Sequence, residues 1–357
     1  MDSRDLLDLS LPELASEITA WGEPSFRARQ VWEWVWKRLA TDFASMTNLS
    51  RGLRGRLACA FTIRLPTVAA GQGDEEGTDK VLLTLADGQA VEAVLLREDR
   101  RRTVCVSTQV GCPVGCSFCA TGGMGYMRDL TAGEIAAQVL HFARVLQCAG
   151  EEVTHVVVMG MGEPLFNYDA TLRAIRNLND PQGFALGARR ITVSTVGVVP
   201  GILRLAEEGL QVNLAVSLHA PDEDLRRQLV PLGERWPLRE VLSAADHYAE
   251  RTGRRVSYEY VLLREVNDRW EHAHALARLL RGRLAHVNLI PFNPAPGLPY
   301  ERPEDSRVDA FRRLLIGSGV DVTVRRSRGV RIQAGCGQLR TQQGGSPAAP
   351  HEADRVG

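Results

Sequence analysis

The sequence predicts an α/β protein: an open, partial (β/α)6 barrel with an N-terminal helical accessory domain, a β-hairpin extension and a disordered C-terminal tail. Three observations predict it. From residue 103 onward, short β-branched runs alternate with amphipathic helical stretches, the pattern of a parallel sheet with crossover helices. There are six such units, too few for a closed eight-fold barrel. The chemically unusual residues fall where the strands stop: Cys112 to Cys119, Gly162-Glu163, Ser194, Ser217-Leu218-His219 and Asn293. Ligands of open α/β sheets sit at those carboxyl ends.

Residues 1–65 read as the accessory domain. Ser10-Leu-Pro-Glu13 is a capping box with Pro near the helix start, and Gly22 ends that helix. A second helix runs from about Pro24 to Leu39. Val31, Trp32, Val35, Trp36 and Leu39 form its apolar face; Arg27, Arg29, Lys37 and Arg38 line its polar side. Tryptophans can stack on bases, but at helical spacing they are more often core. A loop at Met46–Ser50 leads into a basic helix with Arg51, Arg54 and Arg56.

Residues 66–102 read as linker and hairpin. The polar, Gly-rich stretch 70–79 is expected to be an exposed linker, and Asp87-Gly88 is a hairpin turn between Lys80–Leu85 and Gln89–Leu96. Residues 103–340 form the barrel. A strand over Thr103–Gln109 places Cys105, Ser107 and Gln109 on one face. Thr131-Ala-Gly-Glu134 is a second capping box, opening a helix to about Gln147. Strands at Val153–Met159, Arg190–Ser194, Val212–Ser217, Arg255–Leu263 and His286–Pro291 alternate with helices near 170–177, 201–208, 238–251, 271–281 and 306–316. A last strand covers Val320–Arg325. The composition of residues 341–357 predicts a disordered tail.

The 43 basic and 43 acidic residues cancel, which argues against a protein that coats nucleic acid non-specifically. Local basic groups remain, such as Arg97 with Arg100 to Arg102. With no long apolar run and no signal-peptide pattern, the chain is expected to be soluble, cytoplasmic and free of membranes. Seven cysteines, an odd number with four crowded together, do not read as a disulfide framework. Cys59 and Cys148 sit in helical, apolar contexts and read as structural.

Cys112, Cys116 and Cys119 are spaced C-x3-C-x2-C among Gly111, Pro113 and Gly115, which keep the backbone out of regular structure. Thiolate clusters suit zinc, copper(I) or iron–sulfur centres. Three local ligands suggest a [4Fe–4S] cluster with one iron left open, since such clusters normally take four. The alternative is structural zinc with Cys105 as fourth ligand, although no second knuckle is present.

With Phe118 before the last Cys, this motif resembles the signature of radical S-adenosylmethionine (SAM) enzymes, and the open partial barrel is their fold. Four more stretches resemble the RlmN/Cfr family of RNA methyltransferases. They are Phe26-Arg-Ala-Arg-Gln-Val with Thr47-Asn-Leu-Ser, Val158-Met-Gly-Met-Gly-Glu-Pro-Leu, Val287-Asn-Leu-Ile-Pro-Phe-Asn-Pro, and Ala334-Gly-Cys-Gly-Gln-Leu. The resemblance runs from about residue 10 to residue 340.

It implies methylation of an adenine in 23S rRNA, with some tRNAs as further substrates of the C2 enzymes. Gly-Glu-Pro-Leu165 leans towards carbon 2 over carbon 8. Those carbons are not nucleophilic, which is why a radical is used. The resemblance implies that Cys112, Cys116 and Cys119 hold the [4Fe–4S] cluster. It assigns SAM contacts to Gly162, Glu163, Ser194, Ser217, Leu218, His219 and Asn293, with binding but no acid–base role for His219. Cys336 accepts a methyl from one SAM, and a 5′-deoxyadenosyl radical from a second SAM activates it for addition to the adenine. Glu92 is the implied proton acceptor, and Cys105 resolves the protein–RNA adduct by forming a disulfide with Cys336. On residue type alone Glu92 reads as an ordinary exposed strand residue and Cys105 equally well as a core cysteine. The partners implied are 23S rRNA, tRNA and an electron donor such as flavodoxin or ferredoxin, acting on a monomer. A non-catalytic iron–sulfur or zinc RNA-binding protein is the competing reading.

Overall fold

The computed structural model describes residues 3–325. The N-terminal segment begins and ends with a short parallel pair, β1 (Arg4–Asp5) and β2 (Phe61–Thr62). Between them lie α1 (Leu11–Ala20), α2 (Phe26–Trp36) and α3 (Arg51–Ala60). The Ser10–Glu13 capping box forms in both directions. Trp32 and Trp36 are fully buried against each other, so the helical spacing of tryptophans here means core.

A ten-stranded sheet carries the rest. At one edge, β3 (Thr67–Gly73), β4 (Thr78–Thr84), β5 (Ala90–Glu98) and β6 (Arg101–Cys105) run antiparallel in a meander. Then β6, β9 (His155–Val158), β10 (Ile191–Thr195), β11 (Asn213–Ser217), β12 (Val256–Leu262), β13 (Ala285–Pro291) and β14 (Val322–Val324) run parallel. The crossovers contain α4 (Ala132–Cys148), α5 (Tyr168–Asn179), α6 (Val199–Glu207), α7 (Glu223–Leu229), α8 (Leu238–Thr252), α9 (Trp270–Leu280) and α10 (Asp305–Gly317).

Val193, Leu214, Val216, Tyr258, Tyr260, Val287 and Leu289 pack into the main core with the helices. The alternate residues point to the opposite face. Leu6, Leu7 and Leu9 join that same core. Asn177 donates to the carbonyls of Leu7 and Leu9, and the Asp8 carboxylate accepts from the Gly133 N–H at the start of α4.

Three expectations are corrected here, and one helix was not foreseen. Much of the stretch 70–79 is not a linker: its first four residues belong to β3, with residue 78 beginning β4. Backbone pairing to β4 holds β3 while its small side chains stay largely exposed. The strand expected over Thr103–Gln109 stops at Cys105. Beyond it Val106 and Thr108 bond to Val157 and Met161, and β7 (Gln109–Gly111) pairs antiparallel with β8 (Tyr126–Asp129). Helix α7 was not expected. Cys59 and Cys148 are exposed, near the ends of α3 and α4, because each faces away from its helix's packed side. Cys336 and the tail 341–357 lie outside the described residues.

Candidate active site

The β7–β8 pair closes the base of the cysteine loop. Gly111 has φ +81°, and a Cβ there would fall 2.0 Å from the Gly125 carbonyl oxygen, so only glycine lets the two strands cross. The Cys112 N–H then donates to that carbonyl at 2.9 Å. The loop packs on its own apolar cluster of Val114, Ala220, Leu229, Val230, Leu263 and Phe292 at the carboxyl ends of the strands. Ser117 pins it further: its N–H donates to Leu229 at 3.0 Å, and its hydroxyl lies 2.8 Å from that of Tyr300.

Burial pushes the Cys112 thiol up to about 12 and Cys116 well above its ordinary range. Such thiols become thiolates when a cation replaces the proton. Backbone N–H groups of Val114 and Gly162 already favour the anion at Cys112. Among the described residues no three His, Cys, Asp or Glu side chains gather closely enough for a single metal ion. A cubane spreads its thiolates over separate irons, and this soft, half-buried, three-thiol loop fits one.

Around the loop stand the other strand ends. Glu163 is 2% exposed; its carboxylate accepts from Leu165 at 3.0 Å and Val196 at 2.8 Å, and burial lifts it to about 7. Gly162 precedes it with φ +104°, packed on Gln109, whose side-chain oxygen accepts the Glu163 N–H at 2.7 Å. Ser194 and Ser217 are half-buried on the face opposite the helices, and Leu218 is buried. His219 has φ +60°, and its Nδ1 accepts from the Val261 N–H at 3.1 Å. Burial takes it down to about 3, so it is neutral. Phe118 meets its ring edge-on at 4.6 Å, tying the cysteine loop to the end of β11. Asn293, half-buried after β13, accepts from Arg302 at 3.5 Å.

Cys105 is buried at the end of β6. No two described cysteines form a disulfide, and Cys336, the partner implied for Cys105, lies outside the described residues. In the β5–β6 register Cys105 faces Val94, which puts it on the same side of the sheet as Glu92. Glu92 is not an exposed strand residue: it is 3% exposed and its carboxylate lies 2.8 Å from the equally buried Lys80 ammonium.

Residue-by-residue reading missed several groups here. Lys80 and Glu92 are diagonal neighbours across the hairpin, and the Asp87-Gly88 turn signals that register. Asn267 is fully buried and donates to the carbonyls of His219 and Val261. Glu259, buried on the open face, accepts from Asn288 at 2.7 Å.

The chain matches the Radical SAM superfamily over residues 106–277 and the ribosomal RNA large subunit methyltransferase N-terminal domain over residues 4–63. A probable dual-specificity RNA methyltransferase RlmN from Symbiobacterium thermophilum is 52% identical, covering 94% of this chain and 90% of its own length. The chain belongs to the RlmN family of radical SAM RNA methyltransferases. The Chloroflexus aurantiacus RlmN relative is 49% identical, over 95% of this chain and 93% of its own. The crystal structure of a radical SAM methyltransferase from Sphaerobacter thermophilus superposes with TM-score 0.91 at 52% identity, covering 94% of this chain and 98% of that one. As an RlmN-family member the chain is an RNA-methylating enzyme whose chemistry uses a [4Fe–4S] cluster and SAM. Among the described residues no helix is long and apolar enough to cross a membrane.

Proposed function

We propose that this enzyme methylates carbon 2 of an adenine in 23S rRNA and of an adenine in some tRNAs. The observation that carries the reading is the placement of Cys105 and Glu92 on one face of the sheet, whose strand ends bear the three-thiol loop. The name of the relatives, dual-specificity RNA methyltransferase, supports two RNA substrates.

In this reading Cys112, Cys116 and Cys119 hold the cluster, which supplies the electron that cleaves the SAM sulfonium. Glu163 and Gly162 receive the amino end of SAM. Ser194, Ser217, Leu218, His219 and Asn293 line the remainder, with neutral His219 only binding. Cys336 carries the methyl group to the base. The adduct radical would pass one electron back to the bound cluster and its carbon-2 hydrogen, as a proton, to Glu92. Cys105 then gives up its proton and bonds to the Cys336 sulfur as the bond from that sulfur to the methylene carbon breaks; the carbon keeps the bonding pair and takes a proton, becoming the methyl group. Residues 1–65 grip the RNA, and the target base leaves its stack to reach the barrel mouth. A flavodoxin- or ferredoxin-type carrier donates the electron, and the protein works as a cytoplasmic monomer.

The test is anaerobic reaction of the reconstituted enzyme with 23S rRNA fragments and tRNA, followed by nucleoside mass spectrometry. 2-Methyladenosine from both RNAs is expected. 8-Methyladenosine would overturn the carbon assignment, and unmodified tRNA would remove the second substrate.

A further inference from the structure

Arg226 is the largest buried charge for which the reading above has no use. It lies on α7 and is 1% exposed. Arginines this deeply buried are rare unless paired. Among the described residues Arg226 makes no ion pair. Its Nη2 donates to the Val196 carbonyl at 2.5 Å, its Nη1 lies 3.5 Å from the Trp236 carbonyl, and its Nε is buried with no partner. Glu223, on the same helix, is the strongest opposing charge it feels, but that carboxylate is bonded elsewhere, to the Leu238 N–H at 2.6 Å. A guanidinium does not shed its proton in proteins, so it cannot escape the cost of burial by neutralising.

Its helix packs against the cysteine loop: Leu229 of α7 belongs to the apolar cluster on which Cys112, Cys116 and Phe118 rest. Helix α7 is bonded to the loop through Ser117 and Leu229. Val196, whose carbonyl Arg226 holds, gives its own N–H to Glu163.

The geometry points to Arg226 as the fixed counter-charge of the iron–sulfur centre, raising its reduction potential. The inference rests on Cys112, Cys116 and Cys119 holding that centre. An oxidised four-iron core is doubly positive, and three thiolates leave the centre singly negative. One electron from a reductant such as dithionite, itself oxidised by that electron, makes it doubly negative. A buried cation on the helix that packs against the loop stabilises both states and the reduced one more, because net charge is one of the quantities that set these potentials. Without the centre, the same cation is uncompensated. Neutralising Arg226 therefore has opposite effects: the metal-free fold gains stability and the loaded centre becomes harder to reduce.

The experiment uses the full chain and three variants. R226M removes charge and donors, R226Q keeps a donor for the Val196 carbonyl, and R226K keeps the charge. Each is reconstituted anaerobically and its iron counted. Absence of a four-iron centre in the wild-type protein would refute the cluster assignment itself, separately from this inference. Midpoints then come from redox titration followed by electron paramagnetic resonance. R226M and R226Q are expected to disfavour the reduced centre at least tenfold, about 59 mV for one electron, while R226K stays within threefold. Metal-free R226M is expected to unfold at higher urea than wild type. If R226M does not fold, R226Q against R226K decides. An unmoved midpoint in R226Q, or an R226K shift as large as that of R226Q, would overturn the inference. So would a tenfold loss of SAM affinity with an unmoved midpoint, which would assign the guanidinium to the SAM carboxylate.

Discussion

Replacing Lys80 with methionine is expected to destabilise the fold far more than a typical charge deletion. The ammonium and the Glu92 carboxylate are 2.8 Å apart, with side chains 0% and 2% exposed. Surface pairs of that length contribute little. Here, losing one partner leaves the other charge buried, which costs about 3–5 kcal/mol. Glu92→Gln should cost somewhat less, because the amide still offers Lys80 an acceptor. The double variant Lys80→Met with Glu92→Leu removes both charges and fills the space with apolar atoms, so it should fall within about 1 kcal/mol of wild type or exceed it. The assay is urea denaturation of the metal-free protein, read as a double-mutant cycle. The pair reading is wrong if either single variant costs under about 1 kcal/mol or if the double variant costs the sum of the singles. The cycle also separates fold from chemistry. If Glu92 accepts the proton, the double variant is as stable as wild type and still releases no methylated RNA.

Four other outcomes are expected. Cys112→Ala, Cys116→Ala and Cys119→Ala should each lose the visible absorbance of the iron–sulfur centre and all 5′-deoxyadenosine formation; turnover in any of them contradicts the ligand set. Cys105→Ala should accumulate a nuclease-sensitive protein–RNA adduct on denaturing gels and Cys336→Ala none, so the reverse pattern would exchange their roles. Gly162→Ala should cost about 2–5 kcal/mol in urea titrations, since its Cβ would meet the Gln109 Cβ at 2.6 Å on a backbone of φ +104°; a cost under about 1 kcal/mol would mean that Gln109 moves freely. Burial raises Asp5 to about 6, against 3.8 for the free residue. The folded state then holds the proton that the unfolded state has lost between those values. Stability from this group is full below about 4 and falls by up to about 3 kcal/mol as pH rises to 6; Asp5→Asn should flatten that slope, and an unchanged slope would place the titration elsewhere.

How much of this was legible depended on how each element earns its stability. Strands β10 to β13 were visible because each buries an apolar face, and the helices α1 and α4 because Ser10–Glu13 and Thr131–Glu134 cap them as written. Strand β3 was not, because Val-Ala-Ala-Gly-Gln-Gly has mostly small, largely exposed side chains and is held by main-chain bonds to β4. Helix α7 is seven residues long, too short for an apolar period to show. Its Asp222 cap, bonded to the Leu225 N–H at 2.9 Å, was the one available signal. The burial of Lys80 and Glu92 was hidden for a different reason: alternation separates the two faces of a strand but does not say which face is wet.

That last point supplies a signal for the site itself. A parallel sheet covered on both faces has strands that are apolar throughout. Here the register aligns polar residues on the face away from the helices: Thr192 with Asn213 in one row, and Ser217, Glu259, Asn288 and Thr323 in another. Burying such groups costs free energy unless hydrogen bonds meet them, so a polar face on parallel strands means a lumen lined for a ligand or for water. Ser194 and Ser217 belong to that face, as do Glu259 and Asn288, which end-of-strand reasoning passed over. The Glu259–Asn288 bond, beside Ser217 in the register, extends the polar wall from Ser217 towards the far edge of the sheet. The face away from the helices is thus polar as a lumen lined for a ligand or for water would be, and the alternation in β10 to β13 writes that polarity into the chain.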